Sequence, residues 1–334
     1  MLNEKKINIK QFMLANAIYI ILLTLILIIT CISPKFLSLR VFRDILMQSS
    51  VRILMALGCM FIIIAGSADL SGGRMLGLAA VVAGTLAQKT TYHLKFWPNL
   101  PEMPVIVPVL AAMTVGLLAG IANGIIVSKV KVPAFLATLG MQMILLGINS
   151  VYFSSPPNNS QPLGGYTESF GRLGTGSVFN IPYVLIIAAV CVLAVWLIQT
   201  KTLFGHELYI VGGNREAARV SGINVFRVEV LTFAIAGILY GLAGSLESAR
   251  TGSATSNYGN AYELDAIASC IVGGCTISGG VGNVGGVLAG VIIFNVINYG
   301  LTFIGINPYL QYAVKGAIII IAVAIDVRKY ARAK

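Results

Sequence analysis

Ten apolar stretches separated by short polar segments run through this chain, and they leave it very few folds. They cover roughly 14–32, 46–66, 74–88, 104–127, 134–153, 181–199, 228–249, 265–278, 286–304 and 309–326. Most approach the ~20 residues that a helix needs to cross a ~30 Å hydrocarbon core. The apolar/polar alternation of a membrane barrel strand is absent. Only 10% of the residues are charged, against about 25% in an ordinary soluble domain. The sequence therefore predicts an all-α polytopic membrane protein of about ten transmembrane helices, forming a single transmembrane domain over 1–334. The third and eighth stretches are short, which predicts short or re-entrant segments near 69–88 and 263–280. The first stretch is too long for the apolar region of a signal peptide and runs into "SPKF", so it reads as a retained span.

The formal charge of +11 does not indicate nucleic acid, because the basic residues sit at span boundaries without interleaved exposed aromatics. Topology accounts for them better. With an inside N-terminus, inside segments hold Lys5, Lys6, Lys10, Arg74, Lys129, Lys131, Lys201, Arg215, Arg219, Arg227, Arg328, Lys329, Arg332 and Lys334. Outside segments hold Lys35, Arg40, Arg43, Lys89, Lys95, Arg172 and Arg250, while Arg52 and Lys315 fall at span edges. An inside excess of Lys and Arg sets orientation, so both termini are expected in the cytoplasm. The five cysteines lie in apolar surroundings without metal-type spacing and read as small buried hydrophobes.

One water-facing loop, 200–227, carries an unusual density of charge in "GGNREAARVSGI". Asn214 is a good helix N-cap, Glu216 falls in the first turn and Arg219 near the end, each where the helix dipole favours its charge. Gly222 can supply the left-handed residue that closes the helix. A helix of about seven residues, roughly 10 Å long, follows. Burying its arginines at the bilayer centre would cost on the order of 2.5–3.5 kcal/mol each, so it stays in water. Ala217, Ala218 and Val220 give it a small smooth face suited to a docking partner, although a capped surface loop explains the same residues.

Glycines supply a second pattern. Gly116, Gly120 and Gly124 in "GLLAGIANG", and Gly282, Gly286 and Gly290 in "GNVGGVLAG", recur at every fourth position in the fourth and ninth stretches. Such spacing lets helix backbones pack closely. The two stretches run in opposite directions, as an inverted 5+5 repeat requires, and inverted repeats are a transporter architecture. Chance in a chain with 36 glycines is the alternative explanation. Asp69 in "SADLSGGR", and Glu263 and Asp265 in "YELDAIASC", either cap the helices that follow or mark a pathway beside broken backbone. The G-x-G-x-x-G match at Gly280, Gly282 and Gly285 lacks the preceding strand of a dinucleotide site.

Catalysis finds little support. His93 and His206 are the only histidines and belong to no metal-ligand or acid–base arrangement. A phosphate-binding loop is also missing: the dipeptide Gly-Lys does not occur.

The stretch "GGNREAARVSGINV" resembles the cytoplasmic coupling segment of permeases in bacterial ATP-binding-cassette importers of the ribose, xylose and galactose group. "DLSGGRMLGLAAVVAGTL" and "LMQSSVRILMALG" are similar to segments of the same proteins. The last third, from "GSATSNYGNAYELDAIASC" to the C-terminus, is the most specific part and looks like the galactose/methyl-galactoside branch. The likeness spans nearly the whole chain, with departures mainly in the outside loops 89–103 and 154–180. It implies a non-catalytic, multi-pass subunit of the bacterial cytoplasmic (inner) membrane that pairs with a second copy of itself. Further expected partners are a cytoplasmic ATPase, an extracytoplasmic sugar-binding protein and membrane lipid. No cofactor is expected on this chain, and ATP with Mg would bind the ATPase. The coupling residues become Asn214, Arg215, Glu216, Ala217, Ala218, Arg219, Ser221 and Gly222.

For the sugar path, uncharged hydrogen-bonding residues inside the apolar stretches are candidates: Asn123, Gln142, Asn149, Asn295 and Asn298. Bonding between neighbouring helices is their commoner use. Outside, Lys35, Arg40, Arg172 and Arg250 are candidates for steering an acidic binding protein. Two rivals remain open beside a ribose- or xylose-type permease. An ion-coupled secondary transporter needs intramembrane acids, for which Glu247 and Asp265 are the candidates. A channel would use the glycine-ended segment 265–280.

Overall fold

The computed structural model describes residues 17–331. The start of the first expected span, 14–16, and Lys5, Lys6, Lys10, Arg332 and Lys334 lie outside them. Helices dominate the fold, and the β structure within named strands is a hairpin of β1 (Ser177–Val178) and β2 (Ile181–Pro182).

Each of the ten apolar stretches contains a helix. The first five are α1 (Ala17–Ile32), α2 (Leu39–Ile64), α3 (Gly72–Leu86), α4 (Ile106–Ser128) and α5 (Ala134–Ser154). The second five are α7 (Tyr183–Lys201), α10 (Val225–Thr251), α11 (Tyr262–Val272), α12 (Val284–Phe303) and α13 (Pro308–Ala331). Three shorter helices lie in connections: α6 (Glu168–Thr175), α8 (Leu203–Gly213) and α9 (Arg215–Val220). Among the described residues six helices, α2, α4, α5, α7, α10 and α12, are long and apolar enough to cross a membrane. The chain is thus an all-α polytopic membrane protein. The expected ten crossings do not all meet that test: α3 and α11 have 15 and 11 residues, or about 22 and 16 Å at 1.5 Å per residue.

The two sets of five exchange contacts. Helix α10 packs on α4 and α3, while α2 packs on α12 and α11. At the centre α2 crosses α10, with Gly58 against Ala236 and Tyr240 and Arg52 on the side of Glu247, so the two run antiparallel. Swapped partners around an antiparallel central pair are what an inverted repeat produces.

Glycine decides the closest packing. Gly116 faces Gly237 and Gly241, Gly120 faces Phe233, and Gly124 faces Val230, so α4 and α10 meet antiparallel along three turns. A Cβ at any of these positions of α4 would lie under 3.0 Å from the backbone of α10. In the other set Gly286 and Gly290 pack on Gly273 and Ser269. Gly282 does not extend that stripe, because α12 begins at Val284 after the Asn283 cap. It instead abuts Cys275 and Ile64 from the preceding loop.

Both short helices begin inside the protein. After Ile64 the chain runs through 65–71 without helix, and Gly72 then lies against Tyr240, in the interior of α10. Likewise 252–261 returns from the end of α10 to place Gly259 and Glu263 against Gly73. The N-terminal ends of α3 and α11 therefore meet deep in the molecule, where unpaired N–H groups and the positive helix dipole ends need acceptors. Asp69 Oδ1 accepts from the N–H and hydroxyl of Ser71 at 2.7 and 2.6 Å, and Glu263 and Asp265 occupy the first turn of α11. Neither helix receives a side-chain cap hydrogen bond, so Asp69 braces the turn at Ser71 and the two acids of α11 act by their charge at its N-terminal end. Arg74, expected in an inside segment, belongs to this junction, where its guanidinium donates to Asn260 at 2.7 Å.

Candidate functional site

The charged loop folds as its sequence predicts. Asn214 Oδ1 accepts from the N–H groups of Glu216 and Ala217, each at 3.0 Å, and caps the six-residue α9. Ser221 is the C-cap, and Gly222 has φ +83°, the left-handed conformation that closes the helix without a Cβ penalty. Glu216 and Arg219 are exposed and face each other at 3.5 Å. Ala217 is exposed beside them. Ala218 is not part of that outer face: it is fully buried, because its side of α9 packs on the rest of the chain.

Arg215 does what the sequence could not reveal. It donates to Ser67 Oγ at 3.1 Å, in the non-helical chain before α3, and pairs with Glu229 at 2.9 Å, one turn into α10. Beneath α9, helix α8 meets two loops backbone to backbone. Gly212 abuts Ile64 and Gly280, Gly279 abuts Gly66, and Gly280 N–H donates to the Ile64 carbonyl at 2.8 Å. Gly66, Gly279 and Gly280 all have positive φ. The surface helix is therefore joined to α2, to the start of α10 and to the loop after α11. A groove of about 600 Å³ runs beside it, lined in part by Ser67, Lys131, Arg215, Arg219 and Glu229.

The candidate path residues divide. Asn123 is fully buried and donates to Ser71 Oγ at 2.8 Å. Asn149 donates to the Ser256 carbonyl at 3.2 Å, tying α5 to the loop before α11. Asn295 donates to the Ile45 carbonyl and Ser49 Oγ, both at 2.9 Å, tying α12 to α2. Gln142 is half-buried on α5. Asn298 lines a cavity of about 360 Å³ with Gln48, Arg52, Gln311 and Lys315, which Asn295 also reaches.

That cavity adjoins an ionic cluster that was not foreseen. Asp265 Oδ2 accepts from Arg52 at 2.9 Å and from Lys315 at 3.1 Å, gathering α2, α11 and α13. The Arg52 guanidinium stacks on the Tyr262 ring, 3.4 Å from its centroid. Tyr262 Oη donates to Glu247 at 3.1 Å, and Glu247 holds Arg250 by two bonds of 3.0 Å. Both acids named for ion coupling are thus paired with cations. The lone arginine in an apolar stretch was the available signal: burial of a charge requires a partner.

Among the outer basic residues, Lys35 is exposed on the turn between α1 and α2, and Arg40 is exposed in the first turn of α2. Arg172 is exposed and paired with Glu168 at 2.6 Å. Arg250 is only 23% exposed and held by Glu247, which leaves it less free to meet a partner. Gly174 of α6 packs on the backbone at Ala249 and Arg250 and brings these last two segments together.

Residues 41–323 match the family described as the branched-chain amino acid transport system permease component. This chain belongs to that permease family. The permease is 47% identical to the galactose/methyl galactoside import permease protein of Haemophilus influenzae over 96% of each chain. It is 46% identical to the protein of that name from Escherichia coli strain K12, over 100% of this chain and 99% of the relative. The ribose import permease protein of the same Escherichia coli strain is 36% identical over 96% of each chain. No solved structure matches.

Proposed function

We propose that the permease is the transmembrane subunit of an ATP-binding-cassette importer that carries galactose or methyl galactoside inward across the bacterial cytoplasmic membrane. The observation that carries this reading is the greater identity to galactose/methyl galactoside import permeases, 46–47%, than to a ribose import permease, 36%, over nearly the same length. In this reading two copies line the path, a cytoplasmic ATPase binds ATP and Mg, and an extracytoplasmic binding protein delivers the sugar. Both termini face the cytoplasm.

The chain's own part is to turn a push at α9 into a rearrangement of helices. Glu216, Ala217 and Arg219 face the ATPase. A displacement of α9 reaches α10 through Arg215 and Glu229, and reaches α2 and the loop after α11 through the glycine junction at Gly66, Gly212 and Gly279. Rigid helices carry such a displacement, because packed elements shift between discrete arrangements instead of deforming smoothly. The buried ends of α3 and α11, where regular helix gives way to irregular chain, are the places where it can be absorbed.

Labelled galactose uptake into proteoliposomes tests the proposal, with the ATPase and binding protein added singly and together. Uptake only with ATP and every component is the expected outcome. Uptake by this chain alone on a sodium or proton gradient would refute it in favour of a secondary transporter, and ATP-independent ion current in favour of a channel. Stronger competition by ribose or xylose than by galactose would reassign the sugar.

A further inference from the structure

We propose that the cavity bounded by Gln48 and Arg52 of α2, Asn298 of α12 and Lys315 of α13 is a sugar-contact site on the translocation path, with Asp265 acting as the clamp that positions its two cations. The inference rests on the galactose reading above and names the groups that the passing sugar meets.

The chemistry of the lining is that of polyol recognition. A sugar hydroxyl both donates and accepts, so a site for it needs both kinds of group, presented together and without an uncompensated acid. The cavity offers donors from Arg52 and Lys315. Each gives one hydrogen bond to Asp265 Oδ2, which leaves the other N–H groups of the guanidinium and the ammonium for a ligand. Asp265 is itself 6% exposed, so both cations are oriented by a carboxylate that stays within the protein.

Acceptor capacity comes from Asn298. The residue lines the cavity and is half-buried, and its Oδ1, closed off from solvent, has no hydrogen-bond partner. A turn of the amide toward the cavity would present that oxygen to a passing hydroxyl. The neighbouring Asn295 behaves differently, because both bonds of its amide nitrogen tie α12 to α2. Both asparagines of α12 reach the cavity, but of the two only Asn298 has its side-chain oxygen closed off from solvent without a partner. Gln48, half-buried one turn from Arg52, adds an amide that can donate or accept.

Size and placement agree. A cavity of about 360 Å³ falls within the roughly 300–1,000 Å³ typical of small-molecule sites. Its walls come from three helices whose relation changes if α2 is displaced at its far end by the glycine junction. The ionic clamp shares two of those helices, with Arg52 on α2 and Lys315 on α13, and adds Asp265 on α11. A movement of α2 against α13 would alter the clamp and the site together, so the sugar would be held in one arrangement and released in the other.

Asn298→Ala and Gln48→Ala, assayed separately in the complete transporter, test the site. Two readouts are needed: labelled galactose uptake, and ATP hydrolysis stimulated by the sugar-loaded binding protein. The expected result for Asn298→Ala is a fall in uptake of about ten-fold with stimulated hydrolysis within two-fold of wild type, and a smaller fall in the same sense for Gln48→Ala. Wild-type uptake in both variants overturns the proposal while leaving the importer reading intact. Loss of uptake and stimulated hydrolysis together in both variants also overturns it, since that pattern marks a structural role. Failure of the wild-type complex to import galactose with ATP would instead overturn the importer reading on which the site rests.

Discussion

Replacing Gly116 by Ala tests whether backbone contact between α4 and α10 sets the packing of this protein. The added Cβ would point at the Gly237 carbonyl and lie 3.0 Å from Gly241 N, both backbone atoms inside a helix. Neither can turn aside as a side chain would, so the helices must separate. Separation also loosens Gly120 on Phe233 and Gly124 on Val230, the next two turns of the same seam. Overpacking of this kind costs about 1–3 kcal/mol, and three linked contacts argue for the upper end. Relief of the backbone freedom of glycine returns about 0.5–1 kcal/mol, leaving a net loss of about 2 kcal/mol. Gly147→Ala on α5 is the internal control: nothing lies within 4 Å of its Cβ position, so only the gain of about 0.5–1 kcal/mol remains. The variants should therefore differ by about 3 kcal/mol. At about 2–4 °C per kcal/mol, that is about 6–12 °C in Tm, measured by thermal unfolding of detergent-purified protein. Melting temperatures within about 2 °C of each other would refute the argument.

Asp265→Asn should lower Tm as well, because it leaves Arg52 and Lys315 without their shared anion. Breaking a buried pair costs about 3–5 kcal/mol. The partial exposure of the two cations, 24% and 19%, argues for the lower end, and an unchanged Tm would show that the cluster is solvated. Arg215→Gln removes the ion pair with Glu229. ATP hydrolysis by the reconstituted complex should persist while uptake falls several-fold, and full uptake at the same hydrolysis rate would show that α9 acts through other contacts.

Much of this protein could be read directly from its sequence. The succession of apolar stretches required helices, since a lipid-facing backbone must satisfy its hydrogen bonds internally. Capping chemistry placed α9 to within a residue at each end, because Asn214, Glu216, Arg219 and Gly222 act on the chain next to them. The shortness of α3 and α11 was visible for the same reason, as helix length is a local property. What the sequence left open were relations between distant residues. Asn123, Asn149, Asn295 and Asn298 are chemically alike, and only packing makes three of them ties between distant segments and leaves Asn298 untied beside a cavity. Gly116 announced a close contact, but Gly237 and Gly241 as its partners depended on the antiparallel meeting of α4 and α10. Arg52 and Lys315, 263 positions apart, looked like boundary charges until the fold set both on Asp265. Short-range hydrogen bonding and hydropathy are written along the chain; the pairing of a buried charge is decided by which helices the fold brings together.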